Sequence, residues 1–335
     1  MLYLGKHITI WLSLLVSLLK PGGDQQFFKL RGYAQGTTYQ VSYFAARPVV
    51  QQREVDSILL RIDSSMSLYK SYSLINRFNA SAGGLEIDDY FKMVINKSFE
   101  IYQRTKGKFD ITVAPLVQLW GFGPLAITKF PEQAVIQQTL VNVGMDLIQL
   151  KGNQLIKKKS GVQIDLNGIA QGYSVDEVAH YLTSKGITSF MVEIGGEIVV
   201  KGTKPDGSLY KIGIEGPPAN GRGPALRKII SINQGAITTS GNYIKYLQQE
   251  GNRVSHLINP KTGYPLSNQM ISVTLYAKDA ITADGYDNAV MAMEVNEALR
   301  FINRKKDMEA YLVYRKPDGS VADTLTNGFR QLLKD

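Results

Sequence analysis

The sequence predicts an α+β fold, a single domain with an antiparallel or mixed sheet and flanking helices, on three observations. Short apolar runs are joined by hairpin-type turns at Gly152-Asn153, Pro205-Asp206-Gly207 and Pro317-Asp318-Gly319. Between them lie stretches with helical apolar spacing, without the regular strand–helix alternation of a parallel sheet. From residue 27 to residue 335, no low-complexity linker, internal repeat or composition shift marks a domain boundary.

The first 22 residues differ from this body. Lys6 and His7 precede an apolar run, Ile8 to Leu19, that ends at Lys20-Pro21-Gly22-Gly23. A helix needs about 20 residues to span a bilayer, so this run is too short to cross one. It matches the apolar core of a secretory signal behind a short basic flank. No small-x-small cleavage pattern follows, so residues 1–22 read as a signal sequence or a retained N-terminal membrane anchor. An N-terminal core helix is the competing reading. Export places the body in the periplasm or outside, with any membrane association running through residues 8–19.

In the body, Thr38 to Phe44 alternates in polarity and reads as a strand. Arg53 to Met66 carries a helical stripe through Val55, Ile58, Leu59, Ile62 and Met66, and Asp88 to Thr105 carries another that ends at Gly107. Pro131 to Val141 reads as a helix with proline at its start. Leu147 to Leu150 and Gln154 to Ile156 form a hairpin, and Val162 to Ile164 reads as a buried strand. Gln171 to Ser184 is helical, with Gly186 as its C-terminal cap. Phe190 to Ile194, Glu197 to Gly202, Leu209 to Ile214, Tyr311 to Tyr314 and a segment near Val321 read as strands.

Composition removes several chemistries. The 335 residues include no cysteine, which excludes disulfides, thiol nucleophiles, iron–sulfur clusters, thiolate zinc sites and lipidation on cysteine. Only three histidines are present, at 7, 180 and 256, so any metal should be a hard cation held by oxygen. The net charge of +9 points to an acidic partner: a phosphate ester, nucleic acid or an anionic membrane surface. Nucleic acid is poorly supported, because Lys157-Lys158-Lys159 and Arg304-Lys305-Lys306 are short runs without an aromatic platform.

Four segments pack glycine, carboxylate and hydroxyl residues between apolar runs. In Asp165 to Asp176, an acidic residue and Gly168 precede a helix start, an arrangement that favours a phosphate; a turn with an Asp cap explains it equally well. Glu193 to Ile198 contains Gly195-Gly196, which reads as a bulge or as backbone on which a flat ring lies. Ile237 to Tyr243 and Ser255 to Pro265 gather hydroxyls, His256 and Lys261. In Ile281 to Met293, Asp284 and Asn288 share one helix face beside Asp287 and offer oxygen to Mg²⁺; a helix N-terminus with nearby Asp is the alternative.

Together and in this order, the segments resemble the ApbE family, the FAD:protein FMN transferases, over about residues 30 to 330. Further matching motifs are G-T-T-Y at Gly36 to Tyr39, S-L-Y-K…I-N-R-F-N between Ser67 and Asn79, and G-K-F-D-I-T-V-A-P-L at Gly107 to Leu116. The resemblance implies a Mg²⁺-dependent enzyme that binds FAD in a cleft. It would transfer FMN to a Thr or Ser hydroxyl of an exported acceptor redox protein and release AMP. Such attack on a pyrophosphate relies on positioning and charge neutralisation. An FAD pyrophosphatase and a flavin-binding protein without turnover are the alternatives.

By resemblance, Asp284 is a metal ligand, with the Gly168 carbonyl, Asp287 and Asn288 completing the protein's share. Gln35, Lys108, Phe109, Asp110 and Asp165 are implied FAD contacts. So are Gln171, the Gly195-Gly196 backbone, Ser240, Gly241 and Leu257. His256 is implied as the base on the acceptor hydroxyl or as a phosphate donor, and Lys261 as a neutraliser of phosphate charge. The chain departs from the family pattern at Asn288, where Thr is usual, at Gln171, where Lys is usual, and at Gln35, where Met is usual.

Overall fold

The computed structural model describes residues 25–217, 225–242, 246–249 and 252–333. The segment read as a signal or anchor, residues 1–22, lies outside the described residues, as does Tyr243. The chain opens with β1 (Gln26–Ala34) and β2 (Thr37–Ala45), then α1 (Gln52–Met66), α2 (Leu74–Ala80), β3 (Gly84–Glu86) and α3 (Asp89–Arg104). After α4 (Ala114–Leu119), α5 (Gln133–Leu140), β4 (Ile148–Lys151) and β5 (Gln154–Lys157), it enters α6 (Ala170–Ser184). There follow β6 (Phe190–Ile194), β7 (Glu197–Lys201), β8 (Tyr210–Gly216), β9 (Ala225–Ile232), β10 (Gln234–Gly241), β11 (Tyr246–Gln249), β12 (Asn252–Ser255) and β13 (Met270–Ala277). The last elements are α7 (Ala280–Met291), α8 (Val295–Asn303), β14 (Met308–Arg315), β15 (Val321–Leu325) and α9 (Asn327–Leu332).

The expected α+β class holds. An eight-stranded sheet runs β1-β2-β6-β7-β10-β13-β14-β15, with every neighbouring pair antiparallel. Strand alternation divides its side chains between two faces. On one face Val41, Val192, Val273, Leu275 and Leu312 join the core made with α1, α3, α6 and α7. On the other, Val200, Ile237, Ile271, Tyr311 and Val313 pack against the β8–β9 hairpin and Phe329 of α9. Among the described residues, no helix is long and apolar enough to cross a membrane.

The periodic helices form as their sequences predict. The α1 stripe is buried at Val55, Ile58, Leu59, Ile62 and Met66. In α3 the Asp88 carboxylate accepts from Phe91 N–H at 2.8 Å as an N-cap, and Gly107, at φ 77°, ends the helix by donating to Tyr102 O at 2.9 Å.

One strand expectation is corrected. Val162 and Ile164 are buried on either side of exposed Gln163, but the segment belongs to no sheet. The amide of Asn79 takes the place of a neighbouring strand: its Oδ1 accepts from Ile164 N–H at 2.8 Å and its Nδ2 donates to Ile164 O at 2.9 Å. The Gly195-Gly196 pair is likewise not a bulge. Ile194 pairs directly with Glu197, so the two glycines, at φ 62° and 109°, form the tight turn of the β6–β7 hairpin.

Candidate active site

The site is built where α6 and α7 cross. A Cβ on Gly172 would lie 2.4 Å from Ala280 O and 2.7 Å from the Asp284 Cβ, so only glycine permits this approach. Gly172 N–H donates to Asp284 Oδ2 at 2.8 Å. Near the other end of the contact, buried Asp176 accepts from Ala280 N–H and Ile281 N–H, both at 2.8 Å, at the start of α7. Two carboxylates therefore tie the helices together, one from each side.

Oxygens converge beyond that crossing. Asn288 Nδ2 donates to Gly168 O at 3.2 Å, Asp284 O at 3.0 Å and Asp287 Oδ1 at 3.0 Å. Ser240 Oγ on β10 donates to Asn288 Oδ1 at 3.4 Å, and Thr238 Oγ1 donates to Asp287 Oδ2 at 2.6 Å. Asp284 and Asp287 are 5% and 1% exposed, too buried to be ordinary surface carboxylates. Burial, and then the charge of Asp176, pushes Asp284 up to about 7. Burial, followed by the charges of Asp284 and Glu197, holds Asp287 well above the carboxylate range. Among the described residues, no Lys, Arg or His forms an ion pair with either.

Two buried carboxylates without a basic partner, beside a main-chain carbonyl and a side-chain amide, are a donor set that fits a hard divalent cation. Among the described residues, no group of three or more His, Asp or Glu side chains is arranged to hold a metal ion by itself. The Gly168 carbonyl would thus share the coordination with the carboxylates, and Asn288 would join once its amide turns to present Oδ1, which accepts from Ser240, in place of Nδ2.

Gln171 and the β6–β7 turn border this centre. Gln171 Nε2 donates to Ile194 O at 2.9 Å and to Glu197 Oε2 at 2.6 Å. A Cβ on Gly195 would fall 2.0 Å from that Nε2, whereas one on Gly196 would meet nothing within 4 Å. The Gly196 side of the turn is therefore open backbone. Gln35, in the β1–β2 turn at φ 54°, donates through Nε2 to Ser174 Oγ at 2.8 Å and so reaches the first turns of α6.

The structure thus brings Gly168, Gln171, Gly195, Ser240, Asp284, Asp287 and Asn288 into one contact network, which Gln35 joins through α6. Gly241 follows Ser240 at the end of β10, paired with Ser272. Asp165 Oδ1 accepts from Asn167 N–H at 2.7 Å. The Asp165 charge, after burial, raises the phenol of Tyr69. No role was read for Tyr69 from the sequence, although it sits in the S-L-Y-K motif and its side chain is exposed.

The other sequence-read residues are placed by contacts of their own. Lys108 Nζ donates to Ala292 O at 3.3 Å and pairs with Glu297 at 3.4 Å, past the end of α7. Phe109 is packed into the core. Asp110 accepts from Thr112 N–H and Oγ1, at 2.8 and 2.5 Å, and burial raises its carboxyl. Its neighbours Tyr102, Gly107, Asp146, Pro260 and Lys261 line a cavity of about 370 Å³. The His256 ring meets Phe122 edge-on, with centroids 6.2 Å apart. Leu257 O accepts from Leu266 N–H at 2.8 Å.

An oxygen-lined centre set against open glycine backbone is the equipment of a group-transferring enzyme, and comparison with known proteins defines the class as a transferase. A profile of the ApbE family matches residues 35–312. An FAD:protein FMN transferase of Vibrio cholerae serotype O1 is 37% identical over 293 residues, covering 84% of this chain and 87% of its own. One of Haemophilus influenzae is 33% identical over 339 residues, 96% of each chain. Among solved structures, the flavin transferase ApbE from Vibrio cholerae has a TM-score of 0.83 at 33% identity, over 92% of this chain and 100% of that one. The ApbE protein from Thermotoga maritima has a TM-score of 0.81 at 26% identity, again over 92% and 100%. The chain belongs to the ApbE family.

Proposed function

We propose that this protein is a Mg²⁺-dependent FAD:protein FMN transferase. The acceptor's Thr or Ser oxygen attacks the FMN phosphorus of FAD. The new O–P bond replaces the pyrophosphate bridge bond, and AMP leaves with the bridging oxygen. The observation that carries this reading is the convergence of Gly168, Asp284, Asp287 and Asn288 beside Gln171 and the Gly195-Gly196 turn. The names of the relatives support it.

A Mg²⁺ ion held by those oxygens would neutralise the pyrophosphate and stabilise charge on the departing AMP. The protein's own residues do the rest. Gly168 and the start of α6 present backbone to phosphate. The open face of Gly196 lets a flat ring lie on the main chain. His256 takes the acceptor hydroxyl's proton on an imidazole nitrogen, and Lys261 offsets phosphate charge. The acceptor is an exported redox protein, and this chain works in the periplasm behind residues 1–22 as a signal or anchor.

The test combines the protein with FAD, Mg²⁺ and an acceptor domain carrying the target threonine. Flavin fluorescence on the acceptor in a denaturing gel, matched mole for mole by AMP, is the expected result. AMP with free FMN and no label makes the protein an FAD pyrophosphatase. Bound FAD without AMP makes it a flavin carrier.

A further inference from the structure

The short helix α2 touches two walls of the cleft through two asparagines that no catalytic step uses. Asn76 Nδ2 donates toward Lys70 O at 2.9 Å, Leu68 O at 3.0 Å and Ser67 O at 3.4 Å. It thereby holds the loop that carries Tyr69, whose side chain is exposed. One turn further on, Asn79 clamps both backbone polar groups of Ile164, immediately before Asp165. Asp165 N–H is held in turn by Ile111 O at 2.8 Å.

The helix between these amides is firmly seated. Ile75 and Phe78 are fully buried. Ser73 caps the N-terminus by accepting from Asn76 N–H. Buried Lys157 closes the C-terminus, donating to Asn79 O at 3.0 Å and Ser81 O at 2.9 Å, with Nζ 4.8 Å from the centre of the Phe78 ring. A fixed helix with an amide reaching each way is a spacer. The segment it holds on one side leads into Asp165 and Gly168; the loop on the other carries Tyr69.

We propose that Asn76 and Asn79 are positioning residues for the flavin nucleotide, setting through α2 the spacing between the Tyr69 loop and the Asp165–Gly168 segment. The inference rests on the cleft being the FAD site. Strand pairing would bind residues 162–164 to a sheet edge; a side-chain amide binds them to α2 instead. The spacing between Ile164 and the 67–70 loop is therefore bridged by α2 and not by strand pairing.

Asn79→Asp keeps the acceptor for Ile164 N–H and replaces the donor to Ile164 O with an oxygen. Asn76→Ala frees the three loop carbonyls. For each variant and the double variant, thermal stability, the dissociation constant for FAD by flavin fluorescence, and transfer kinetics are measured. The KM and Kd for FAD should rise about tenfold in Asn79→Asp and about fivefold in Asn76→Ala, with kcat at saturating FAD within about threefold of wild type. The double variant should fall short of the product of the two effects, because both act on one spacing.

A merely structural role would shrink the active fraction, lowering kcat with KM unchanged, and that result overturns the proposal. So does unchanged Kd in folded variants alongside tight wild-type binding. Wild-type protein that fails to bind FAD overturns the reading of the site as well, which separates the two failures. If Asn79→Asp does not fold, Asn76→Ala, whose partners lie in a partly exposed loop, decides the matter alone.

Discussion

Helices α3 and α7 pack against each other and both bury apolar residues, but α7 buries two carboxylates as well. Helix α3 turns a stripe of Phe91, Val94, Ile95 and Ile101 inward and leaves its charges in water. Helix α7 is buried nearly all round and takes Asp284 and Asp287 in with it. They approach so closely that a Cβ on Gly285 would sit 2.3 Å from Ile101 Cδ1. The first helix contributes stability; the second gives some up to hold two carboxylates where oxygen ligands are needed.

The comparison breaks most sharply on two substitutions. Asp284→Ala should lower Mg²⁺-dependent AMP release by at least about 100-fold. The melting temperature should change little, because relief of the buried carboxylate offsets loss of its bond from Gly172 N–H. Phe91→Ala should do the reverse, costing about 3–5 kcal/mol in denaturant unfolding while leaving the KM for FAD of the folded protein unchanged. Full AMP release by Asp284→Ala sinks the metal assignment, and a changed KM in Phe91→Ala sinks the division of labour.

Next in size is the joint between α6 and α7. Gly172→Ala places a methyl against the Ala280 carbonyl and should cost about 1–3 kcal/mol, with a loss of transfer activity that exceeds the loss of fold measured by circular dichroism. A smaller effect is expected at the mouth of the site. Gln171→Lys puts a cation beside Glu197 and the substrate phosphates and should lower the KM for FAD about threefold at low salt, fading as salt is added. An unchanged KM would mean that Gln171 serves only the β6–β7 turn.

A separate effect concerns Lys157. Burial pulls its ammonium from 10.5 down to about 8. Between those values the unfolded chain holds a proton that the folded chain has released, so stability should rise with pH across that window and stay level below it. Lys157→Met should abolish the rise in urea midpoints measured from pH 7 to 10.

Much of this was legible in the residues. The α1 and α3 stripes, the Pro-Asp-Gly turns and the spacing of Asp284 and Asn288 are local patterns, and local patterns survive folding. Strands β10 and β13 were not read. Strand β10 is mostly Gly, Ala, Thr and Ser around a single Ile237, with no alternation to see, and β13 is buried on both faces, which erases the period. The roles of Asn79 and Asp176, and the bond from Thr238 to Asp287, escaped notice because the partners lie far along the chain, at Ile164, Ala280 and Asp287. A side chain that completes another segment's hydrogen bonding leaves no mark on its own neighbours in sequence.

The order of strands in the large sheet, β1-β2-β6-β7-β10-β13-β14-β15, rises without a single reversal. The chain crosses the sheet once, edge to edge, and each strand finds its predecessor already in place. A polypeptide delivered N-terminus first can therefore lay down this sheet in the order of its arrival, with no strand held waiting for a later partner. Helix α7 follows β13, so the carboxylates come late in that sequence. Binding competence would then appear as one of the last events of assembly, and a chain stopped before residue 280 would own most of a sheet and none of its acid centre.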